Sequence, residues 1–218
     1  MSFATLLDAP EVVSATKLEA RIDSLISEFL SSLPKPEGLS PEQRRGIVAR
    51  YTAVLEGNFI YWMTGALLAC RSDETRDIVL ENLHEEIRDS HPNMMRRFAV
   101  AAGAVPTDAD ANAVYANLSE VRVFIGRLST VRIVLMMGYF EKLIQQWMPH
   151  LAEVARLQGS QEFEYTDVHG VCDVEHSQKL FGALRAEIAL DPASVDDGVF
   201  EGVELLHQLN YTVIRGAA

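Results

Sequence analysis

His169-Gly170-Val171-Cys172-Asp173-Val174-Glu175-His176 carries the pattern His-x3-Asp-x2-His in a stretch that reads as helix. At about 100° per residue the three polar positions fall near 0°, 40° and −20°, so one carboxylate and two imidazoles share a stripe roughly 60° wide. Imidazole with carboxylate is a ligand mix that suits iron and similar first-row metals. The stripe exists only if the chain is helical here, so the period of the surrounding sequence decides what it means.

From Leu18 onward that period is helical. Leu18, Ile22, Leu25, Ile26, Phe29 and Leu30 recur at helical spacing and stop at the Pro34–Gly38 turn. Ser40-Pro41-Glu42-Gln43 offers an N-cap, a proline at the first helical position and a glutamine at the third, which opens a helix expected to run over 40–69. Further helices are expected over 73–88, 92–102, 109–118, 121–157 (kinked at Gly138 or Pro149), 166–190 and 193–214. No segment alternates with period two, so the chain reads as all-α, with seven or eight helices. Residues 1–16 lack strong periodicity and read as a loose arm, with one helical domain over 17–218.

Composition narrows the setting. The chain has 218 residues, 48% of them hydrophobic and 23% charged, which is ordinary for one globular domain. A net charge of −12 argues against a nucleic-acid surface, which needs clustered Lys and Arg. Cys70 and Cys172 form no CxxC pair and suggest neither a disulfide framework nor a zinc ribbon. Met1–Asp8 has no basic region before its apolar run, and the longest apolar run, 133–140, is too short to span a bilayer. A cytoplasmic protein without a membrane partner is the expectation.

Two other places carry unusual chemistry. In Glu81-Asn82-Leu83-His84-Glu85-Glu86-Ile87-Arg88-Asp89-Ser90-His91-Pro92 a charged helix end meets a new helix start, with Ser90 as the expected N-cap. Glu86 would close one helix and His91 open the next, so the two can converge. Glu141 follows Val134-Leu135-Met136-Met137-Gly138-Tyr139-Phe140, and a carboxylate in so apolar a helix is costly to bury unless paired or bound to metal. An ion pair with Arg132 is the structural alternative for it. Glu56, inside Ala53–Ile60, is a weaker case of the same kind.

The order Asn82-Leu83-x-Glu85-Glu86, His91-Pro92-x5-Phe98, Tyr139-Phe140-Glu141 and His169-x3-Asp173-Val174-x-His176 resembles the heme-oxygenase-like diiron oxidases over roughly residues 40–180. The resemblance implies a heme-oxygenase-like seven-helix bundle and six iron ligands: Glu86, His91, Glu141, His169, Asp173 and His176. Glu85 or Glu81 could replace Glu86, and His84 could compete with His91. Glu56 is the candidate for an extra carboxylate.

The function implied is an O2-dependent non-heme diiron oxidoreductase with two Fe ions and O2 as co-substrate. Through a peroxo-diiron intermediate it would hydroxylate, N-oxygenate, desaturate or cleave a small substrate, an amino acid or amine of a biosynthetic pathway by preference. A fatty-acid-type oxidative decarboxylase of the same family is the next choice. A non-redox heme-oxygenase-like protein that binds a thiamine-like or quinone precursor, or stores metal, is the alternative from another class. An external reductant is expected, and a homodimer stays open because dimers are common for this fold.

Such a site should lie between helices. Met137 and Gln145, four residues either side of Glu141, and Tyr165 and Leu180, four outside the motif, are the expected pocket residues. Cys172 is read as a packing residue and His150 and His207 as surface or satisfied histidines. Arg122, Arg127 and Arg132 are left without a role.

Overall fold

The structure is a computed structural model describing residues 10–216; the side chains of residues 10–14 and of Cys172 fall outside the description. Among the described residues nine α-helices follow one another: α1 (Pro10–Ser32), α2 (Pro41–Leu55), α3 (Asn58–Ala69), α4 (Asp73–Arg88), α5 (His91–Ala101), α6 (Asp108–Ile125), α7 (Thr130–Leu157), α8 (Glu164–Leu190) and α9 (Glu201–Arg215). No strand occurs among the described residues, as the sequence led us to expect, and none of their helices is long and apolar enough to cross a membrane.

Several boundaries differ from the sequence reading. Residues from Pro10 onward, read as part of an arm, already belong to α1, while residues 1–9 lie outside the described part. The helix expected over 40–69 is two helices. Gly57 takes a left-handed conformation (φ 75°), and Asn58 satisfies the broken end by donating to the Val54 carbonyl at 2.8 Å. The gap expected near 119–120 falls instead at 126–129, where Leu128 adopts φ 53°. Ser90 is not the expected side-chain N-cap: it sits at φ 59° and makes no capping bond. It supplies the left-handed residue of a two-residue turn, a conformation that costs a non-glycine residue about 1–2 kcal/mol.

The long helices α7 and α8 pack against each other and form the spine. Gly138 allows their close approach, since a β-carbon there would meet the Phe181 ring at 3.2 Å. α7 runs unbroken past both Gly138 and Pro149. Core aromatics lock α1 and α2 onto this spine: Trp147 takes Phe29 edge-on at 5.0 Å and Tyr51 at 5.4 Å. α4 docks on α8, and the dock is polar. Glu187 of α8 accepts the backbone N–H groups of Arg71 (3.1 Å) and Ser72 (2.9 Å) and the Ser72 hydroxyl (3.0 Å), which satisfies orphan donors at the start of α4. α4, α5, α7 and α8 are thus held around one interior region.

Candidate metal centre

Helical periodicity places His169, Asp173 and His176 on the buried face of α8, and Glu141 on the buried face of α7. Glu86 lies in the last turn of α4 and His91 is the first residue of α5, with only two full residues and the end of α4 between them. The left-handed Ser90 turns the chain back so that His91 Nδ1 meets Glu86 Oε1 at 2.7 Å. All six side chains are buried.

They form two triads. In each of Glu86/His91/His169 and Glu141/Asp173/His176, one potential ligand atom per residue lies within 4.8 Å of the others. The His91 and His169 rings stand edge to face, 4.6 Å apart. Five of the six, all but His176, line one cavity with about 440 Å³ of space free of atoms, part of it open to solvent. Leu55, Phe59, Ile60, Pro92, Met95, Phe140, Ile144 and Tyr165 complete its wall, and no lysine or arginine is among them.

The electrostatics favour a cation. Burial pushes the Glu141 carboxyl up, the neighbouring Glu86 charge adds to that, and His176 opposes both. For His169 burial dominates and holds the imidazole at about 4 despite nearby Glu86, so the ring is neutral. Its Nδ1–H donates to the Tyr165 carbonyl at 2.7 Å, and a carbonyl can only accept, so Nε2 keeps its lone pair. Burial would lower His176 too, but Glu141 and Glu85 outweigh it and raise that ring to about 9. His176 Nδ1 is nonetheless buried without a hydrogen bond, 3.9 Å from Glu141 Oε2 and 3.9 Å from Asp173 Oδ1. Three carboxylates and three imidazoles, desolvated together with no Lys or Arg on the cavity wall, fit two divalent iron ions: the carboxylates offset most of the +4.

The alternatives separate cleanly. Glu81 is exposed and pairs with Lys179 at 3.1 Å, and His84 is exposed on the outer face of α4. Glu85 lies in neither triad; its Oε2 meets His176 Nε2 at 2.7 Å. Glu56, considered as an extra carboxylate, is turned outward by the helix break and accepts from Arg96 at 2.6 Å. Arg132 is not the partner of Glu141, for it pairs with Asp196 and Glu201. His207 accepts or donates against the Tyr139 hydroxyl at 3.0 Å; His150 Nε2 meets the Pro34 carbonyl at 2.9 Å, while its Nδ1 is buried without a hydrogen bond. The packing role expected of the Cys172 side chain lies outside the described residues.

Of the four expected pocket residues only Tyr165 reaches the cavity. Met137 and Leu180 are fully buried in the core, away from its wall, and Gln145 borders two outer grooves. Leu55, Phe59 and Ile60 were missed because they come from α2 and α3, which carry none of the clustered groups. Their only signal was apolar side chains on both sides of Gly57.

No curated protein matches the chain. A family model described as "iron-containing redox enzyme" matches residues 48–211, a span that holds both triads and the whole cavity wall. The chain therefore belongs to this heme-oxygenase-like family of iron-containing redox enzymes.

Proposed function

We propose that the chain is an O2-dependent diiron oxidase or oxygenase, in which Glu86, His91 and His169 hold one ion and Glu141, Asp173 and His176 the other. The observation that carries this reading is the pair of buried triads meeting at a single cavity. When bound, the two irons would supply the electrons that reduce O2, with an external reductant restoring them. The protein's own share is geometric. Burial keeps His169 neutral and the Tyr165 carbonyl fixes which nitrogen it presents. The largely apolar wall lowers the dielectric around these groups, which strengthens the electrostatic contacts among them.

The wall also bears on the substrate. An amino acid carries both an ammonium and a carboxylate, and with one turned to the metals the other finds, among the described wall residues, only the Tyr165 hydroxyl beside the clustered carboxylates and imidazoles. Leu55, Phe59, Ile60, Met95, Phe140 and Ile144 instead suit an apolar chain or ring whose polar head approaches the metals. This favours the fatty-acid-type reading over the amino-acid one.

The test is anaerobic reconstitution with Fe(II), an iron count, then O2 uptake with panels of fatty acids, alkyl amines and amino acids. The proposal expects two irons per chain and substrate-stimulated uptake in the apolar panels. Fewer than two irons in the wild type sinks the diiron reading. Stimulation by amino acids alone sinks the substrate preference.

A further inference from the structure

We propose that Glu85 is the positioning residue that sets which nitrogen His176 presents to the metal centre. The inference rests on the metal reading above and concerns a residue outside both triads.

Glu85 and Glu86 are consecutive on α4, so their side chains leave the helix about 100° apart. They reach different histidines: Glu86 Oε1 meets His91 Nδ1 at 2.7 Å, and Glu85 Oε2 meets His176 Nε2 at 2.7 Å. An ionised carboxylate only accepts, so His176 Nε2 carries a hydrogen and donates it. A metal ion displaces one ring proton when it binds, and with Nε2–H held by Glu85 the lone pair is freed on Nδ1. Nδ1 is the atom that has no hydrogen bond and looks toward Glu141 Oε2 and Asp173 Oδ1.

The two histidines of α8 are therefore set in opposite senses. His169 is held through Nδ1 by the carbonyl of Tyr165, one turn earlier on its own helix, and presents Nε2. His176 is held through Nε2 by a carboxylate of another helix and presents Nδ1. Only Glu85 among the named groups fixes that second choice.

Its placement suits the role. The Glu85 side chain is 29% exposed while His176 is 5% exposed, so the orienting charge keeps part of its hydration as the ring it holds is buried. A fully buried fourth carboxylate would instead add a large desolvation cost.

The experiment is anaerobic titration with Co(II) as the metal probe, followed by its d–d absorption, on wild type, Glu85→Ala, Glu85→Gln and Glu81→Ala. Glu81 serves as the control because it removes the same charge from the same helix while lying on the exposed Lys179 pair. Circular dichroism of the metal-free proteins establishes that each variant is folded. Glu85→Ala is expected to weaken one of the two bound ions by about 10–100-fold and to change its absorption band. Glu85→Gln is expected to recover most of the affinity and the wild-type band, since its amide oxygen still accepts from Nε2–H. Glu81→Ala should match wild type.

Wild-type affinities and bands in Glu85→Ala would overturn this inference while leaving the metal reading intact. A Gln variant as defective as Ala would overturn it too, by marking Glu85 as a direct ligand. A wild type that fails to bind two ions removes the metal reading itself, and the role of Glu85 with it.

Discussion

Tyr51 and Tyr165 meet hydroxyl to hydroxyl at 2.8 Å, with both rings buried and the Tyr165 ring tilted against His169, centroids 4.2 Å apart. Burial raises both phenols, so each stays protonated and one donates to the other. Tyr51→Phe leaves the Tyr165 hydroxyl without that partner, and Tyr165→Phe does the same to Tyr51. Each single change should cost about 1–3 kcal/mol, and the double Phe variant should cost less than their sum. Urea unfolding of the four proteins closes the cycle; strictly additive losses would contradict a direct pair.

The two triads should load separately. Glu86→Ala or His169→Ala is expected to leave one ion per chain on Glu141, Asp173 and His176, and Glu141→Ala or Asp173→Ala one ion on the other triad. Iron counted after anaerobic loading checks this. Full loading of any of these variants would mean the altered residue is not a ligand.

Glu187 should matter more for stability than for chemistry. Its Oε1 takes three donors at the start of α4, two of them backbone N–H groups. Glu187→Ala leaves them without that partner and is expected to lower unfolding free energy by about 1–3 kcal/mol. The urea midpoint should fall with an unchanged slope. Glu187→Gln, which keeps the acceptor, should lose less.

Acid sensitivity has an identifiable source at Asp110. Burial would raise this carboxyl, but the Thr107 hydroxyl and N–H and the Arg45 guanidinium outweigh it and hold it below its ordinary value. A lowered carboxyl stabilises the fold above its unfolded value, near pH 4, and that stability is lost as pH falls through the folded value. Asp110→Asn should therefore cost about 1 kcal/mol at pH 7, and the gap to wild type should narrow toward about pH 3. Urea midpoints across that range test it; a gap that widens in acid would reverse the assignment.

The legible part of the site was the part carried by one helix. His169, Asp173 and His176 need only helical period to share a face, and Glu141 stood out because its neighbours are apolar. Glu86 stands ahead of Glu85 in the sequence reading only through the family resemblance, because adjacent residues on a docked helix both face protein and only tertiary contacts assign each a histidine. The turn at Ser90 was unreadable for a related reason: a serine stands where the backbone conformation favours glycine.

The pocket was misread through geometry. Steps of four residues from Glu141 drift about 40° each way along α7 and arrive at Met137, in the core, and Gln145, at outer grooves. The cavity lies toward α2 and α3, on the side reached by Phe140 and Ile144. Likewise the helix expected across 40–69 hid the break at Gly57 because apolar residues continue through it.

That break has a wider consequence. Because α2 turns at Glu56–Gly57, the corner places Leu55, Phe59 and Ile60 on the cavity wall, on helices that contribute nothing to either triad. Under the proposed function, one side of the wall that meets the substrate is thereby separated along the chain from the metal ligands, while Met95, Phe140 and Ile144 on the other side share helices with them. Changes in the size of Leu55, Phe59 or Ile60 would therefore reshape that side of the cavity without touching any of the six clustered side chains.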